Sequence, residues 1–261
     1  MAKYLNPYHL VSPSPWPIYL AASVFTTAFG LVIFFHHGIV HLLFLGLILW
    51  ALIMVFWLKD VVREATFQGA HTTRVISAFK LGFQIFIFSE AMLFVSFFWA
   101  YFHSSLSPGV DIGVTWPPLG IVPISPWALP LVNTAILLSS GCTITWSHHS
   151  LVANKKKESI LALILTCSLG VIFTLIQLYE YKKAPFTVAD SVYGSCFFIL
   201  TGFHGLHVLV GTTFLLVCLN RLTLGHFLPS RHVGYECAIW YWHFVDVIWI
   251  FVWFLVYWWG S

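Results

Sequence analysis

The sequence predicts an all-α, polytopic membrane protein with seven transmembrane helices, and three observations carry that reading. Charged residues make up 8% of the 261 positions and apolar residues 59%. A soluble domain carries about 25% charge and needs it to cover its surface. Apolar residues also run on for about 20 positions at a time, the length a helix needs to cross a hydrocarbon core. Strands of a membrane barrel would instead alternate in polarity over segments of about ten residues. Disorder is excluded by the high hydrophobicity, and 17 glycines and 12 prolines are too few for a collagen-like or low-complexity chain. A net charge of +3, spread thinly, excludes a nucleic-acid partner.

The spans follow in order. The first, about 16–35, is preceded or opened by Pro13, Pro15 and Pro17, and the second covers about 40–58. The third, 73–102, is longer than a bilayer requires, so it should tilt or protrude. The fourth, 127–146, has Pro126 at its start, where a missing N–H costs least. The fifth covers 158–179. The sixth, 191–219, is again long, and Asp190 and Ser191 suit its N-terminus as capping residues. The seventh covers 235–258. Trp16, Trp57, Trp116, Trp127, Trp146, Tyr257, Trp258 and Trp259 gather at span ends, where amphipathic rings settle at the membrane interface. The longest connection, 104–126, is rich in proline and glycine and reads as an ordered surface loop. There is no internal repeat and no linker to a second soluble domain, so residues 1–261 form one transmembrane domain.

Short connections let Lys and Arg set orientation. Lys3, Lys59, Arg63, Arg74, Lys155, Lys156, Lys157, Arg221 and Arg231 fall on the N-terminal side, with Lys80 just inside the third span. Only Lys182 and Lys183 fall on the other. The N-terminus therefore faces the cytoplasm-equivalent side, the matrix in a mitochondrion. The first residues lack the pattern of a transit or signal peptide, so no cleaved presequence is expected. Cys142, Cys167, Cys196, Cys218 and Cys237 lie in or beside apolar runs without a C-x-x-C pair and read as small buried hydrophobes.

Ionisable residues at membrane depth are costly and point to function. Glu90 stands in the middle of the third span, on a face with Phe83, Phe86, Leu93, Phe94 and Phe97. It reads either as a proton-active or reactive carboxyl, or as a neutral acid hydrogen-bonded to another helix. In the seventh span Glu236, His243 and Asp246 fall within an arc of about 80°. They form one polar stripe that must face protein, and the favoured reading is interhelical hydrogen bonding. His204 and His207 lie in FHGLHV on the sixth span, near Gly194, Gly202 and Gly205. One H-x-x-H pair is a weak metal signal, and no bound metal is expected. The doublets His36–His37 and His148–His149 read as interfacial. No nucleophile elbow, zincin motif or phosphate loop is present, so no catalytic residue is assigned. DVVREATFQGAHTTR places Arg63, Glu64, His71 and Arg74 at the inner surface, and RLTLGHFLPSRH adds Arg221, His226, Arg231 and His232. Basic pockets at that level suit anionic lipid head groups. Arg63 and Arg221 are favoured because each ends a span.

Taken together, LVSPSPWP, DVVREATFQGAHT, SEAMLFVSFFWAYFH, FHGLHV, YWHFVDVIW and YWWGS resemble cytochrome c oxidase subunit III along essentially the whole chain. The compact length is similar to the mitochondrially encoded animal form. The resemblance implies a non-redox core subunit of respiratory complex IV, which passes electrons from cytochrome c to oxygen coupled to proton pumping. It implies that the first two helices stand apart from a five-helix bundle, leaving a V-shaped cleft filled with phospholipid. Glu90 matches the family's carbodiimide-reactive carboxyl near a proposed oxygen path. Arg63, Glu64, His71, Arg221 and His226 match positions that contact lipid head groups. No cofactor is expected in this chain beyond structural phospholipids, anionic or zwitterionic. Haem and copper belong to partner subunits. The implied partners are subunit I by direct contact, subunit II and accessory subunits, in the mitochondrial inner membrane. Three alternatives stand beside this reading. One is the matching subunit of a quinol-oxidising haem–copper oxidase, another a stand-alone proton-coupled transporter using Glu90 and Asp246. The third is a membrane enzyme with metal at His204 and His207.

Overall fold

The computed structural model describes residues 7–261. Among these, the helices are α1 (Trp16–His37), α2 (His41–Thr66), α3 (Thr73–Leu106), α4 (Leu129–Val152), α5 (Lys156–Lys183), α6 (Val192–Thr223) and α7 (Val233–Val252). A single 3-10 turn, Val110–Ile112, sits in the long loop, and α7 continues as a π-helical segment, Trp253–Trp258. Among the described residues, seven helices are long and apolar enough to cross a membrane.

The helix ends differ from expectation where polar residues continue a helix beyond the apolar run. α2 reaches Thr66, so Lys59, Asp60, Arg63 and Glu64 are helical rather than in a connection. α5 runs to Lys183, which brings Glu180 into the helix. α4 starts at Leu129, with Pro130 in its first two positions. Pro126 lies before it, and its carbonyl accepts from Trp253 Nε1 at 3.2 Å. Ser191 caps α6 by accepting from the Gly194 N–H. Asp190 serves the preceding turn instead, its Oδ2 accepting from the Thr187 N–H at 2.6 Å.

The chain divides into two compact units, Met1–Phe79 and Lys80–Ser261, with the boundary inside α3. In the first, α1 packs on α2 through two glycines. A Cβ on Gly30 would lie 2.5 Å from the Leu43 backbone N, and one on Gly46 2.6 Å from the Thr27 N. The two backbones touch because no side chain intervenes, the usual basis of helix association in lipid. Trp16 Nε1 donates to Asp60 Oδ2 at 2.7 Å and ties the start of α1 to the end of α2.

In the second unit, α4 packs on α5, α5 on α6, α6 on α7 and α7 on α4, closing a ring. Its core is aromatic and includes Phe173, Tyr193, Phe197, Tyr235, Trp242, Trp249 and Tyr257. Trp242 fits because Gly170 and Gly211 leave room. A Cβ at either glycine would come within 2.7 Å or 3.0 Å of its ring. The rest of α3 reaches α6 and α7 through large side chains. Phe97 meets Phe203 with ring centroids 4.9 Å apart, Phe94 meets Phe244 at 6.2 Å, and Phe86 stacks on Tyr241 at 6.3 Å.

Candidate functional site

Glu90 and His207, 117 residues apart in sequence, meet between α3 and α6, with Glu90 Oε2 3.0 Å from His207 Nε2. The other ring nitrogen, Nδ1, lies 2.7 Å from the Phe203 carbonyl one turn earlier. That carbonyl can only accept, so Nδ1 carries a hydrogen and donates. The contact between Nε2 and the carboxyl then needs one further proton, held on either atom. Glu90 and His207 thus form a proton-sharing pair. Aromatic rings wall it in. Phe94 meets the imidazole edge-on at 5.1 Å, Tyr241 stacks on it at 6.2 Å, and Phe244 lies at 6.3 Å. His207 keeps 9% of its side chain exposed and Glu90 24%.

The other expected residues do not join this pair. His204 is fully buried, with Nε2 3.2 Å from the Val245 carbonyl of α7 and its ring 4.9 Å from that of Trp249. His204 and His207 therefore serve different helices and do not converge as two ligands. On α7, His243 Nδ1 faces Asp246 Oδ2 at 3.7 Å, and His243 Nε2 lies 3.4 Å from Thr145 Oγ1 of α4. Glu236, one end of the same stripe, pairs with Lys80 of α3.

The inner-surface residues fall into two separate groups. Within the first unit, His9 Nε2 lies 3.9 Å from Glu64 Oε2. The rings of His9 and His71 are 5.7 Å apart, and Arg63 is exposed in the last turn of α2. Burial pushes the His71 imidazole below its usual pKa; the neighbouring His9 adds to this and Glu64 opposes it. Within the second unit, the end of α6 forms a Schellman motif. The Gly225 N–H donates to the Leu222 carbonyl, the His226 N–H donates to the Arg221 carbonyl, and Gly225 takes the left-handed conformation such a stop requires. This turn brings the backbones of Arg221 and His226 together. The Arg221 guanidinium lies over the Phe227 ring at 4.4 Å.

Residues 6–261 match the family model described as Cytochrome c oxidase subunit III. The chain belongs to the cytochrome c oxidase subunit III family. Curated relatives named cytochrome c oxidase subunit 3 cover it end to end. The one from Paracentrotus lividus is 58% identical over 261 residues, all of both chains. That from Branchiostoma lanceolatum is 54% identical over 98% of each chain, and that from Papio hamadryas 52% identical over all of both. As a subunit III family member, the chain is a core, multi-pass membrane subunit of complex IV, an oxidoreductase, and assembles with other subunits of that complex. The family implies no redox cofactor in this chain, and the transporter and quinol-oxidase alternatives are not favoured.

Several polar contacts of this family member escape sequence reasoning. Glu180 is 2% exposed, and its Oε1 accepts from the Tyr257 hydroxyl at 2.6 Å. Lys80–Glu236 joins α3 to α7. His148, expected to be merely interfacial, has Nε2 3.1 Å from His232 Nε2. The available signal was an acid and a histidine each placed within a turn of an expected span end, Glu180 and His148, and a cation, Lys80, two turns inside the third span.

Proposed function

We propose that this chain is the non-redox partner within the oxidase, stabilising the catalytic subunit while electrons pass from cytochrome c to oxygen elsewhere in the complex. The observation that carries the reading is the proton-sharing Glu90–His207 pair, walled by Phe94, Tyr241 and Phe244. It offers a carboxyl among aromatic side chains. Oxygen is apolar and partitions into such surroundings. On this reading α3 shapes oxygen and proton access to subunit I, which holds the haems and copper. Subunit I is the direct contact, and subunit II and accessory subunits complete the assembly.

The chain also holds phospholipid, anionic or zwitterionic, at basic helix ends. Arg63, Glu64 and His71 serve the first unit, and Arg221 and His226 the second. Support comes from the half-buried Arg221 guanidinium over Phe227 and from the Schellman turn that bonds the His226 backbone N–H to the Arg221 carbonyl. The division into a two-helix group and a five-helix group belongs to the same reading, supported by the compact units Met1–Phe79 and Lys80–Ser261. The polar residues His204, His207, Glu236, His243 and Asp246 fix helices rather than react. The location is the mitochondrial inner membrane, with the N-terminus in the matrix and the C-terminus in the intermembrane space. The grouping of Lys59, Arg63, Arg74, Lys155, Lys156, Lys157, Arg221 and Arg231 at one set of helix ends supports this, by the positive-inside bias. Lys3 lies outside the described residues.

The test is made on the assembled oxidase. Glu90→Gln removes the ionisable proton and keeps the shape. Oxygen reduction is expected to persist; its abolition in an intact complex overturns the non-catalytic role. Arg63→Ala together with Arg221→Ala is expected to lower co-purifying phospholipid and to shorten the number of turnovers survived. Unchanged lipid content with unchanged durability overturns the lipid role.

A further inference from the structure

A cluster of possible metal ligands lies outside the site already described. His148 stands near the end of α4, His232 is the N-cap residue of α7, and Glu236 lies one turn further along α7. One ligand atom from each lies within 4.8 Å of the other two. His148 Nε2 and His232 Nε2 are 3.1 Å apart, and His232 Nε2 is 3.6 Å from Glu236 Oε1. Zinc binds imidazole and carboxylate at about 2.0–2.2 Å with tetrahedral angles. Two such ligand atoms therefore stand about 3.3–3.5 Å apart. The separations of 3.1 Å and 3.6 Å bracket that value.

The surroundings prepare the donors. His232 Nδ1 lies 2.9 Å from the Leu228 carbonyl, which can only accept, so Nδ1 holds the hydrogen and Nε2 presents a lone pair. Fixing a ligating histidine through its second nitrogen on a carbonyl is the normal supporting arrangement at zinc sites. That carbonyl is itself held in place, because Leu228 and Arg231 exchange backbone hydrogen bonds at 3.2 Å and 3.0 Å. On the α4 side, the Tyr235 hydroxyl donates to Ser147 Oγ at 2.6 Å. This buried bond, one residue from His148 and one from Glu236, locks α7 against α4 where the ligands meet. The cluster is reachable, since His148 is half-buried and Glu236 keeps 20% of its side chain exposed.

We propose that His148, His232 and Glu236 form a binding site for a divalent zinc-class ion, with a water completing the tetrahedron. This departs from the sequence reading, which expected no metal in the chain. Two imidazoles and one carboxylate select zinc over calcium or magnesium, which take oxygen ligands. Bound metal uses the Nδ1–H tautomer of His148, so that Nε2 is free to ligate. Lys80 sits on Glu236 Oε2 and competes electrostatically with the ion, while Oε1 faces His232.

The experiment uses the full-length chain in lipid nanodiscs, titrated with Co2+ as the optical probe and then with Zn2+ in competition. The expected result is an intense visible ligand-field spectrum of a four-coordinate ion, displaced by Zn2+. His148→Gln and Glu236→Gln should each weaken it at least about tenfold, the lower end of what even supporting-residue changes cost. His149→Gln and His71→Gln should leave it in place, the second because the His9–Glu64–His71 group is a different cluster. Lys80→Met should tighten binding. A variant that fails to insert is read through His148→Gln alone, whose side chain is part-exposed and retains hydrogen-bonding groups. A six-coordinate spectrum, or binding that survives His148→Gln, overturns the proposal. So does equal loss with His149→Gln.

Discussion

The two compact units solve the same problem, holding apolar helices together in an apolar solvent, by different means. Unit Met1–Phe79 relies on absence of side chains: Gly30 and Gly46 let two backbones touch. In α1 and α2 only Ser23, Gly30 and Gly46 are buried, against more than half of α7. Unit Lys80–Ser261 relies on bulk and hydrogen bonds: Trp242 donates to Ser140 Oγ at 2.8 Å and Trp249 to Thr134 Oγ1 at 3.0 Å. With no hydrophobic force between helices in lipid, packing contacts and interhelical hydrogen bonds are what remain. The first unit uses backbone packing at its crossing and one hydrogen bond, Trp16 to Asp60, at a helix end; the second carries its interhelical hydrogen bonds inside the core.

Four changes would break or sharpen that contrast. Trp242→Ala empties the notch between Gly170 and Gly211 and is expected to cost about 3–5 kcal/mol. It should appear as a lowered melting temperature of the second unit, with disulfide cross-linking between introduced α1 and α2 cysteines unaffected. Gly30→Leu does the converse. Its Cβ meets the Leu43 backbone, which cannot yield as a side chain does, and overpacking costs about 1–3 kcal/mol or more. The same cross-linking should drop, whereas Gly82→Leu, with nothing within 4 Å of its Cβ, should leave the melt unchanged. Ser191→Ala removes the α6 cap and is expected to cost about 1 kcal/mol, read as faster amide exchange at Tyr193 and Gly194.

The smallest effect is pH-dependent and belongs to the first unit. The folded state holds the His71 pKa below that of the unfolded chain, so the unfolded state binds more protons in the window between the two values. Stability then rises with pH through that window. It is fully present above about 6.5, the unperturbed histidine value, and fades as pH falls below it. Amide exchange around Ala70–Val75 should quicken on acidification, and His71→Gln should flatten the response.

The spans were legible because bilayer thickness sets a length that composition alone reveals. Their ends were not, because Lys59, Arg63 and Glu180 are compatible with helix even though they interrupt an apolar run. Glu90 and His207 were each visible as costly residues, but their meeting depends on how α3 lies against α6, and a separation of 117 positions leaves no local trace. Glu180 was missed because the apolar run ends at 179, just before it, while its partner Tyr257 read as an interface anchor. Arg221 and His226 were recognisable as surface groups; the approach of their backbones follows from Gly225, the helix stop in LTLGHF.

The single hydrogen shared by Glu90 and His207 has an electrical consequence. Whether acid and imidazole are both neutral or both ionised, their sum is zero. Relocating that hydrogen across a 3.0 Å gap reverses no net charge; it only lengthens or collapses a dipole lying between two helices. The spot can thus answer a change in the local electric field at little cost in burying charge, which a lone carboxyl at the same depth could not do.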